Sequence, residues 1–282
     1  MHEAIKLALK GSIYTHPNPK VGCIIVKNNK IIGKGYHRYF GGDHAEVNAV
    51  KYCLKKFKKD KGLKLLKGST AYITLEPCSI SSKTPPCTET IIKYGIKKIF
   101  CASLDPNKSI NGRGVKILRK NNVDVKVGLL KNEAKSINEE FFFRHTKGRP
   151  FVRMKIAQTL DGKIALNSGE SKWITSKNSR DDVQYLRAES DAILVGSGTV
   201  KKDNPRLNVR NIKINKDKFR QPKKIILGNV STSSISNLSI LKGDSEKIIF
   251  SNNPSSTKDS KIKYRKLSNS KTIESLLKEL PE

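Results

Sequence analysis

The sequence predicts two α/β domains in tandem, and three observations carry that prediction. Strand and helix signals alternate from about residue 21 to residue 144, the pattern of a sheet covered by helices. Gly148-Arg149-Pro150 then interrupts the series, and a second one starts at Phe151. The length, 282 residues, suits two domains of roughly 100–200 residues each. The expected domains are 1–146 and 150–282.

Taken in order, His2–Lys10 reads as a short helix and Thr15–Lys20 as a loop with two prolines. Val21–Lys27 and Lys30–Tyr36 read as strands joined at Asn28-Asn29, a hairpin signal. Asp43 followed three residues later by Glu46 reads as a capping box, opening a helix to about Lys59. Thr70–Leu75 is an expected strand, and a helix is expected from Pro86-Cys87 to Gly95. Strand Lys97–Ser103, a loop with Gly112 and Gly114, a helix from Val115, strand Val123–Val127 and a helix over Glu133–Arg144 complete the first half. Beyond the break the expected order is strand Phe151–Ala157, turn Leu160-Asp161-Gly162, strand Lys163–Leu166 and loop Ser168–Ser171. A helix over Ser176–Glu189 and strands at Asp191–Val195, Lys223–Leu227 and Lys247–Phe250 follow, with an exposed Ser-rich loop at Ser231–Ser239 and a last helix at Thr272–Leu280.

Composition narrows the function classes. The formal charge is +31, from 56 Lys and Arg against 25 Asp and Glu. Such an excess attracts polyanions, but the lysines are spread along the chain rather than gathered in one block. A nucleic-acid binder concentrates charge on one face, so the reading is compositional bias with no nucleic-acid partner. No apolar run approaches the ~18 residues of a membrane span, and no signal-peptide pattern opens the chain. A cytoplasmic, reduced setting without membrane contact is expected. There, spaced Cys and His favour a metal over disulfides. Of the five cysteines, Cys23, Cys53 and Cys101 stand in apolar or helical surroundings and read as small core residues.

The chemistry gathers on His44-Ala45-Glu46, Pro77-Cys78 and Cys87. One imidazole and two thiols make three ligands for a tetrahedral zinc, and a catalytic zinc keeps its fourth position open for water. Bound zinc lowers the pKa of that water to about 7. Glu46, two residues from the histidine, suits a proton carrier better than a fourth ligand. Both His44 and Cys87 fall at expected helix starts, where partial positive charge favours thiolate. A structural zinc is the alternative; it would need a fourth protein ligand, for which His37 is the nearest extra candidate. An RNA base deaminase and a zinc-containing RNA-binding protein are the competing classes, separated by salt-steep RNA binding.

The His-x-Glu and Pro-Cys pattern resembles the zinc nucleobase deaminases. Thr74-Leu75-Glu76-Pro77-Cys78-Ser79, Thr84-Pro85-Pro86-Cys87 and Thr15-His16-Pro17-Asn18-Pro19 with Val21-Gly22 are similar to one family in particular, the bifunctional riboflavin-biosynthesis deaminase/reductases. The eight residues between Cys78 and Cys87 point to that family rather than to cytidine deaminases. Past the break, Lys155, Thr159-Leu160-Asp161-Gly162-Lys163, Ser168-Gly169-Glu170-Ser171, Trp173-Ile174-Thr175, Leu186-Arg187, Asp191–Leu194, Thr199-Val200 and Asp203-x-Pro205-x-Leu207 resemble its reductase half.

The resemblance implies a cytidine-deaminase-like three-layer domain followed by a dihydrofolate-reductase-like α/β domain, incomplete at its C-terminal end. It implies zinc on His44, Cys78 and Cys87, with Glu46 as proton donor. Asn18, His37 and Lys83 would contact the pyrimidine and phosphate of the substrate. Ala157, Trp173, Thr199 and Asp203 would face NADPH; Ser171, Arg187, Leu207 and Arg210 would face a ribose phosphate. Deamination of a phosphorylated pyrimidine followed by NADPH-dependent reduction of its ribosyl group is the implied function, with deamination alone as the alternative. Self-association is implied as well. Ile80 stands where the family usually has His, and the chain ends at Pro281-Glu282, before the Glu-Gly-Gly-like segment expected to complete the reductase.

Overall fold

The computed structural model describes residues 1–81, 85–230, 237–253, 259–266 and 277. The chain divides into two compact units that meet between Phe151 and Val152, and each is taken by itself.

In the first unit, β1 (Gly22–Lys27) and β2 (Lys30–Tyr36) form the expected hairpin. Asn28 and Asn29 both sit at positive φ, 48° and 57°, as a type I′ turn requires. With β3 (Thr70–Ile73), β4 (Lys98–Cys101) and β5 (Asp124–Val127) they make one sheet in the order β2-β1-β3-β4-β5. β1 runs antiparallel to β2 and β3; β3, β4 and β5 are parallel. Alternate strand residues share a face. Cys23, Ile25, Ala71, Ile73, Ile99, Cys101 and Val125 are all buried in the main core.

Helices α2 (Ala45–Lys56), α4 (Cys87–Lys93) and α5 (Arg113–Lys120) add Ala49, Cys53, Ile91, Val115 and Leu118 to that core. α1 (His2–Leu9) packs on β1, so tightly that a Cβ on Gly22 would fall 1.9 Å from the Ala4 carbonyl oxygen. Cys23, Cys53 and Cys101 are buried free thiols, small core residues as expected.

β2 and α2 approach with equal closeness. A Cβ on Gly35 would lie 2.2 Å from the Ala45 oxygen and 2.3 Å from the Ala49 nitrogen, both helix backbone. Overpacking costs about 1–3 kcal/mol and more where backbone must yield. Gly35→Ala is therefore expected to destabilise the first unit by at least about 2 kcal/mol, read as a fall in the urea midpoint with unchanged slope.

Three expectations for this half need correction. Asp43 is not the cap of α2: His44 is, with extended backbone and no side-chain cap bond. Asp43 instead pairs with Lys51 at 2.5 Å, and Glu46 takes no part in a capping box. The helix also does not run unbroken to Lys59. It stops at Lys56, Lys58 turns to φ 59°, and α3 (Lys59–Leu66) folds back, Gly62 passing 3.0 Å (to a virtual Cβ) from the Leu54 Cα. Likewise 133–144 is two helices, α6 (Lys131–Ser136) and α7 (Glu139–Lys147). The break falls at buried Asn138, whose side chain accepts from the Lys20 amide at 2.7 Å and donates to the Lys20 carbonyl at 2.8 Å.

The second unit holds a wholly parallel sheet, β6 (Ala192–Gly196), β7 (Lys223–Leu227), β8 (Lys247–Ser251) and β9 (Ile262–Lys266), in that order. α8 (Lys177–Ala188) precedes it, capped by Ser176 accepting from the Ser179 amide. α9 (Ser197–Asp203) follows β6 directly. Neither α9 nor β9 was expected from the sequence. Ser239–Leu241, expected as loop at its start, forms a 3-10 turn whose Ile240 and Leu241 are buried. Residues 231–236 and the expected helix Thr272–Leu280, apart from Leu277, lie outside the described residues.

The expected strands Phe151–Ala157 and Lys163–Leu166 do not form. Their apolar alternation is genuine, yet a strand exists only as part of a ladder, and no described strand pairs with them. Val152, Met154, Ile156, Ile164 and Leu166 are correspondingly exposed. The turn between them is present, with Gly162 at φ 80° and its amide on the Thr159 carbonyl.

Lys224 is a buried cation of β7 whose Nζ donates to the Ile240 and Lys242 carbonyls at 2.8 and 3.0 Å. Burial, with Lys247 nearby, pushes its pKa from 10.5 down to about 8. A depressed folded pKa means that stability is present above the unfolded value and lost as pH falls through the folded one. The parent is thus expected to gain up to about 3 kcal/mol over Lys224→Met between pH 8 and pH 10.5, at about 1.4 kcal/mol per pKa unit. Denaturant midpoints of both chains across that range check it.

Candidate active site

The site of the first unit lies where β3 ends and where α2 and α4 begin. Thr74 fixes the strand end by accepting from the Gly22 amide at 3.1 Å. The chain then turns through Leu75, Glu76 and Pro77 to Cys78, bringing its sulfur to the first turn of α4, where the Cys87 amide donates to it at 3.3 Å. His44, at the cap of α2, points its Nδ1 at both sulfurs, 3.2 Å from Cys87 Sγ and 3.4 Å from Cys78 Sγ.

The donor atoms of His44, Cys78 and Cys87 all lie within 4.8 Å of one another. A tetrahedral zinc with bonds of about 2.0–2.1 Å to nitrogen and about 2.3 Å to sulfur sets N and S roughly 3.5 Å apart. The observed separations fit that ion. Among the described residues this is the one group of three or more such donors, and it holds three, not four. His37 is not in it. Its Nδ1 meets the Asp43 carbonyl at 3.1 Å and its Nε2 meets the Asn18 amide at 3.2 Å. A carbonyl only accepts, so Nδ1 carries the proton and Nε2 accepts from Asn18. Burial lowers the His37 pKa, and the positive charge of His44 adds to that, which keeps this neutral tautomer.

Glu46 is buried, 4% exposed, on the first turn of α2. Burial raises its pKa from 4.5 to about 6; charge on Cys78 adds to the rise and His44 opposes it. Cys78 moves the other way, down to about 4, because Cys87 and His44 donate hydrogen bonds to its sulfur. Cys87, the donor in that bond and itself buried, is pushed up. The hydrogen bond to Cys78 raises His44. One thiolate and an imidazole of raised basicity therefore face each other; a dication between them draws the second thiol to thiolate as well.

Lys83 lies outside the described residues, and Ile80 is exposed. Two buried carboxylates beside the site were not singled out from the sequence. Glu76 is buried in the turn just past β3, and Asp105 is buried behind it with a pKa pushed up to about 6 by burial. Charges on Glu76 and Cys78 add to that shift. The signal was present: Glu76 directly precedes Pro77-Cys78, and Asp105-Pro106-Asn107 is an Asx-turn sequence just past a strand.

In the second unit Arg187 of α8 and Arg210 come together. Both guanidiniums donate to the Asn208 carbonyl at 3.4 Å, and Arg210 also reaches Asn208 Oδ1 at 3.1 Å. No carboxylate meets either among the described residues, and burial, with Arg210 beside it, lowers the Arg187 pKa. Leu207, at φ 50°, packs against the core that holds Val200. Thr199 and Asp203 lie four residues apart on α9, which starts at the carboxyl end of β6. The loop of Ser171 reaches the same helix, since Gly169 lies against the Lys202 side chain. Trp173 is exposed and carries the Arg180 guanidinium 4.3 Å above its ring. Ala157 sits, half-buried, on the unpaired stretch.

Fold and donor set define a zinc-binding deaminase domain of the cytidine-deaminase class, joined to a second α/β unit. Residues 1–103 match the zinc-binding region of cytidine and deoxycytidylate deaminases, and residues 150–282 match the RibD C-terminal domain. The riboflavin biosynthesis protein RibD of Buchnera aphidicola is 48% identical over 237 residues, 80% of this chain and 61% of that protein. The Escherichia coli protein of the same name is 46% identical over 74% of this chain and 55% of its own length. Among solved structures, Acinetobacter baumannii RibD (form 1) superposes with a TM-score of 0.88 at 36% identity, covering 98% of this chain and 74% of that one. A Thermotoga maritima diaminohydroxyphosphoribosylaminopyrimidine deaminase/5-amino-6-(5-phosphoribosylamino)uracil reductase gives 0.84 at 40% identity, covering 99% and 75%. This chain belongs to the RibD family of riboflavin-biosynthesis proteins. It spans less than two thirds of the two relatives' own length.

No described helix is long and apolar enough to cross a membrane.

Proposed function

We propose that the first unit hydrolytically deaminates 2,5-diamino-6-(5-phosphoribosylamino)pyrimidin-4-one and that the second reduces the ribosyl group of the product with NADPH. The observation that carries the first reaction is a three-donor cluster, His44, Cys78 and Cys87, with the buried Glu46 carboxyl hydrogen-bonded to Cys87. Zinc held there supplies a water of lowered pKa. Glu46 takes that water's proton and returns it to the departing amino nitrogen, so that water and the amine give a carbonyl and ammonia. A pKa near 6 lets one group do both. Asn18, its amide nitrogen committed to His37, keeps its oxygen for a base edge, and Lys83 is assigned to the phosphate.

In the second unit Arg187 and Arg210 suit a phosphate, being two forks that share one carbonyl and meet no carboxylate among the described residues. Ser171 and Leu207 complete that substrate site in this reading. Ala157, Trp173, Thr199 and Asp203 are assigned to NADPH, which supplies the hydride. Ligands of parallel sheets bind beyond the carboxyl ends of the strands, where α9 begins. A second reading keeps deamination alone, favoured by the unpaired stretch that holds Ala157. Self-association and a cytoplasmic setting belong to the same reading as expectations.

Zinc content, ammonia release and NADPH oxidation, measured on the one chain, test these assignments. Ammonia release with about one zinc per chain supports the first reaction, and a zinc-loaded chain that releases none removes it. Ammonia release without NADPH oxidation selects the second reading.

A further inference from the structure

Glu76 lies three residues past the end of β3, in the turn that leads to Cys78. It is buried, 4% exposed, and no Lys or Arg reaches it among the described residues. Backbone N–H groups hold its carboxylate instead. Asp105 and Gly112 donate to Oε2 at 3.1 and 2.9 Å, and Val115 donates to Oε1 at 3.2 Å. The Glu76 amide donates in turn to the Ser103 carbonyl at 2.9 Å. One residue thus gathers the chain just past β4 through its amide, and the following loop and the start of α5 through its carboxylate.

The helix needs that carboxylate. Its cap is Gly112, at φ 72° and without a side chain, and its first turn has no acidic residue. Val115 is the third residue of α5, the position whose N–H a capping side chain ordinarily satisfies. Glu76 does this from another element and puts negative charge at the helix's positive end. The packing leaves no slack. A Cβ on Gly114 would come 2.1 Å from the Pro77 oxygen, so the first turn of α5 rests on the peptide leading into Cys78.

We infer that Glu76 is a positioning residue for the zinc ligand Cys78: by clamping the Asp105–Val115 segment onto the Pro77–Cys78 turn it holds the sulfur toward His44. The inference rests on the zinc-deaminase reading above. Cys78 belongs to a turn rather than to a helix or strand, and a ligand on a loop must be ordered when metal binds unless something orders it beforehand. Groups that orient ligands typically change metal affinity about 10–100-fold when removed. Coupling is reciprocal: if the clamp tightens zinc, zinc must tighten the clamp.

The test uses the full chain. Glu76→Gln keeps one acceptor oxygen but turns an NH2 toward backbone donors. It is expected to release zinc to a competing chelator roughly 10–100-fold faster than the parent and to shift the thiolate–metal absorption of the Co2+-substituted protein, with far-UV circular dichroism unchanged. A Glu76→Gln chain with the parent's release rate and cobalt spectrum overturns the inference. In the parent itself, zinc removal is expected to speed hydrogen exchange at the amides of Asp105, Gly112 and Val115. Unchanged exchange there overturns the inference even if the variant does not fold. A parent that binds no zinc removes the deaminase reading; a parent that binds it beside an indifferent Glu76→Gln removes only the role of Glu76.

Discussion

Replacing Glu46 by Gln is expected to cut ammonia release by about 10²–10⁴-fold while zinc stays bound in the parent's amount. The substitution is nearly isosteric and leaves His44, Cys78 and Cys87 in place, so the metal centre persists. What it removes is a group that gains and loses a proton. Because that proton moves only during reaction, the loss falls on kcat rather than on KM. The stability of the metal-free chain should move the opposite way. The Glu46 pKa is raised from 4.5 to about 6, chiefly by burial. A raised folded pKa favours folding fully below the unfolded value, and the benefit is lost as pH rises through the folded one. Above pH 6 the ionised carboxylate is a net cost of about 2 kcal/mol, at 1.36 kcal/mol per unit. Gln carries no such cost. The metal-free Glu46→Gln chain should therefore melt above the parent at pH 7.5, with the gap closing toward pH 4.5. Lost turnover with gained stability marks a group kept for chemistry; lost turnover with lost stability would make Glu46 a packing residue.

The metal donors were legible because their chemistry is local. His44-Ala45-Glu46 and Pro77-Cys78 each place a ligand at an element end, and element ends survive errors of a residue or two in a sequence reading. What the sequence misstated was governed by partners far along the chain. Asp43-x-x-Glu46 has the form of a capping box, but His44 turns to the two sulfurs, the helix starts one residue later, and Glu46 is left for the interior. The split between α6 and α7 depends on Asn138 bonding Lys20, 118 residues away. Apolar alternation in 151–157 and 163–166 shows which side chains could share a face, whereas pairing needs a neighbour that periodicity does not name. β9, Ile262-Lys263-Tyr264-Arg265-Lys266, carries three cations in five residues and looks like surface, yet its backbone pairs with β8. Glu76 went unassigned for a related reason: its partners are three backbone amides, and an amide has no letter in the sequence.

Cys87→Ala is expected to abolish stable zinc binding and with it ammonia release. The cluster offers three donors, so each carries about a third of a binding free energy that for cysteine-rich zinc sites is about 10–16 kcal/mol. Losing one costs roughly 4 kcal/mol, on the order of a 10³-fold fall in affinity. Equilibrium competition with a chelator reads this directly. A second consequence separates loss of a ligand from general disruption. In the metal-free chain Cys78 is held down to about 4, first of all by the hydrogen bond from Cys87. Without that thiol its pKa must rise, held down only by the residue-87 amide and His44. Alkylation of Cys78 in the metal-free chain should then reach its plateau at a higher pH in Cys87→Ala than in the parent. A Cys87→Ala chain that keeps zinc at the parent's affinity would mean that another group, with His37 and its ring 5.4 Å from that of His44 as one candidate, completes the shell. The centre would then be closed and structural, and Glu46 would have no water to deprotonate.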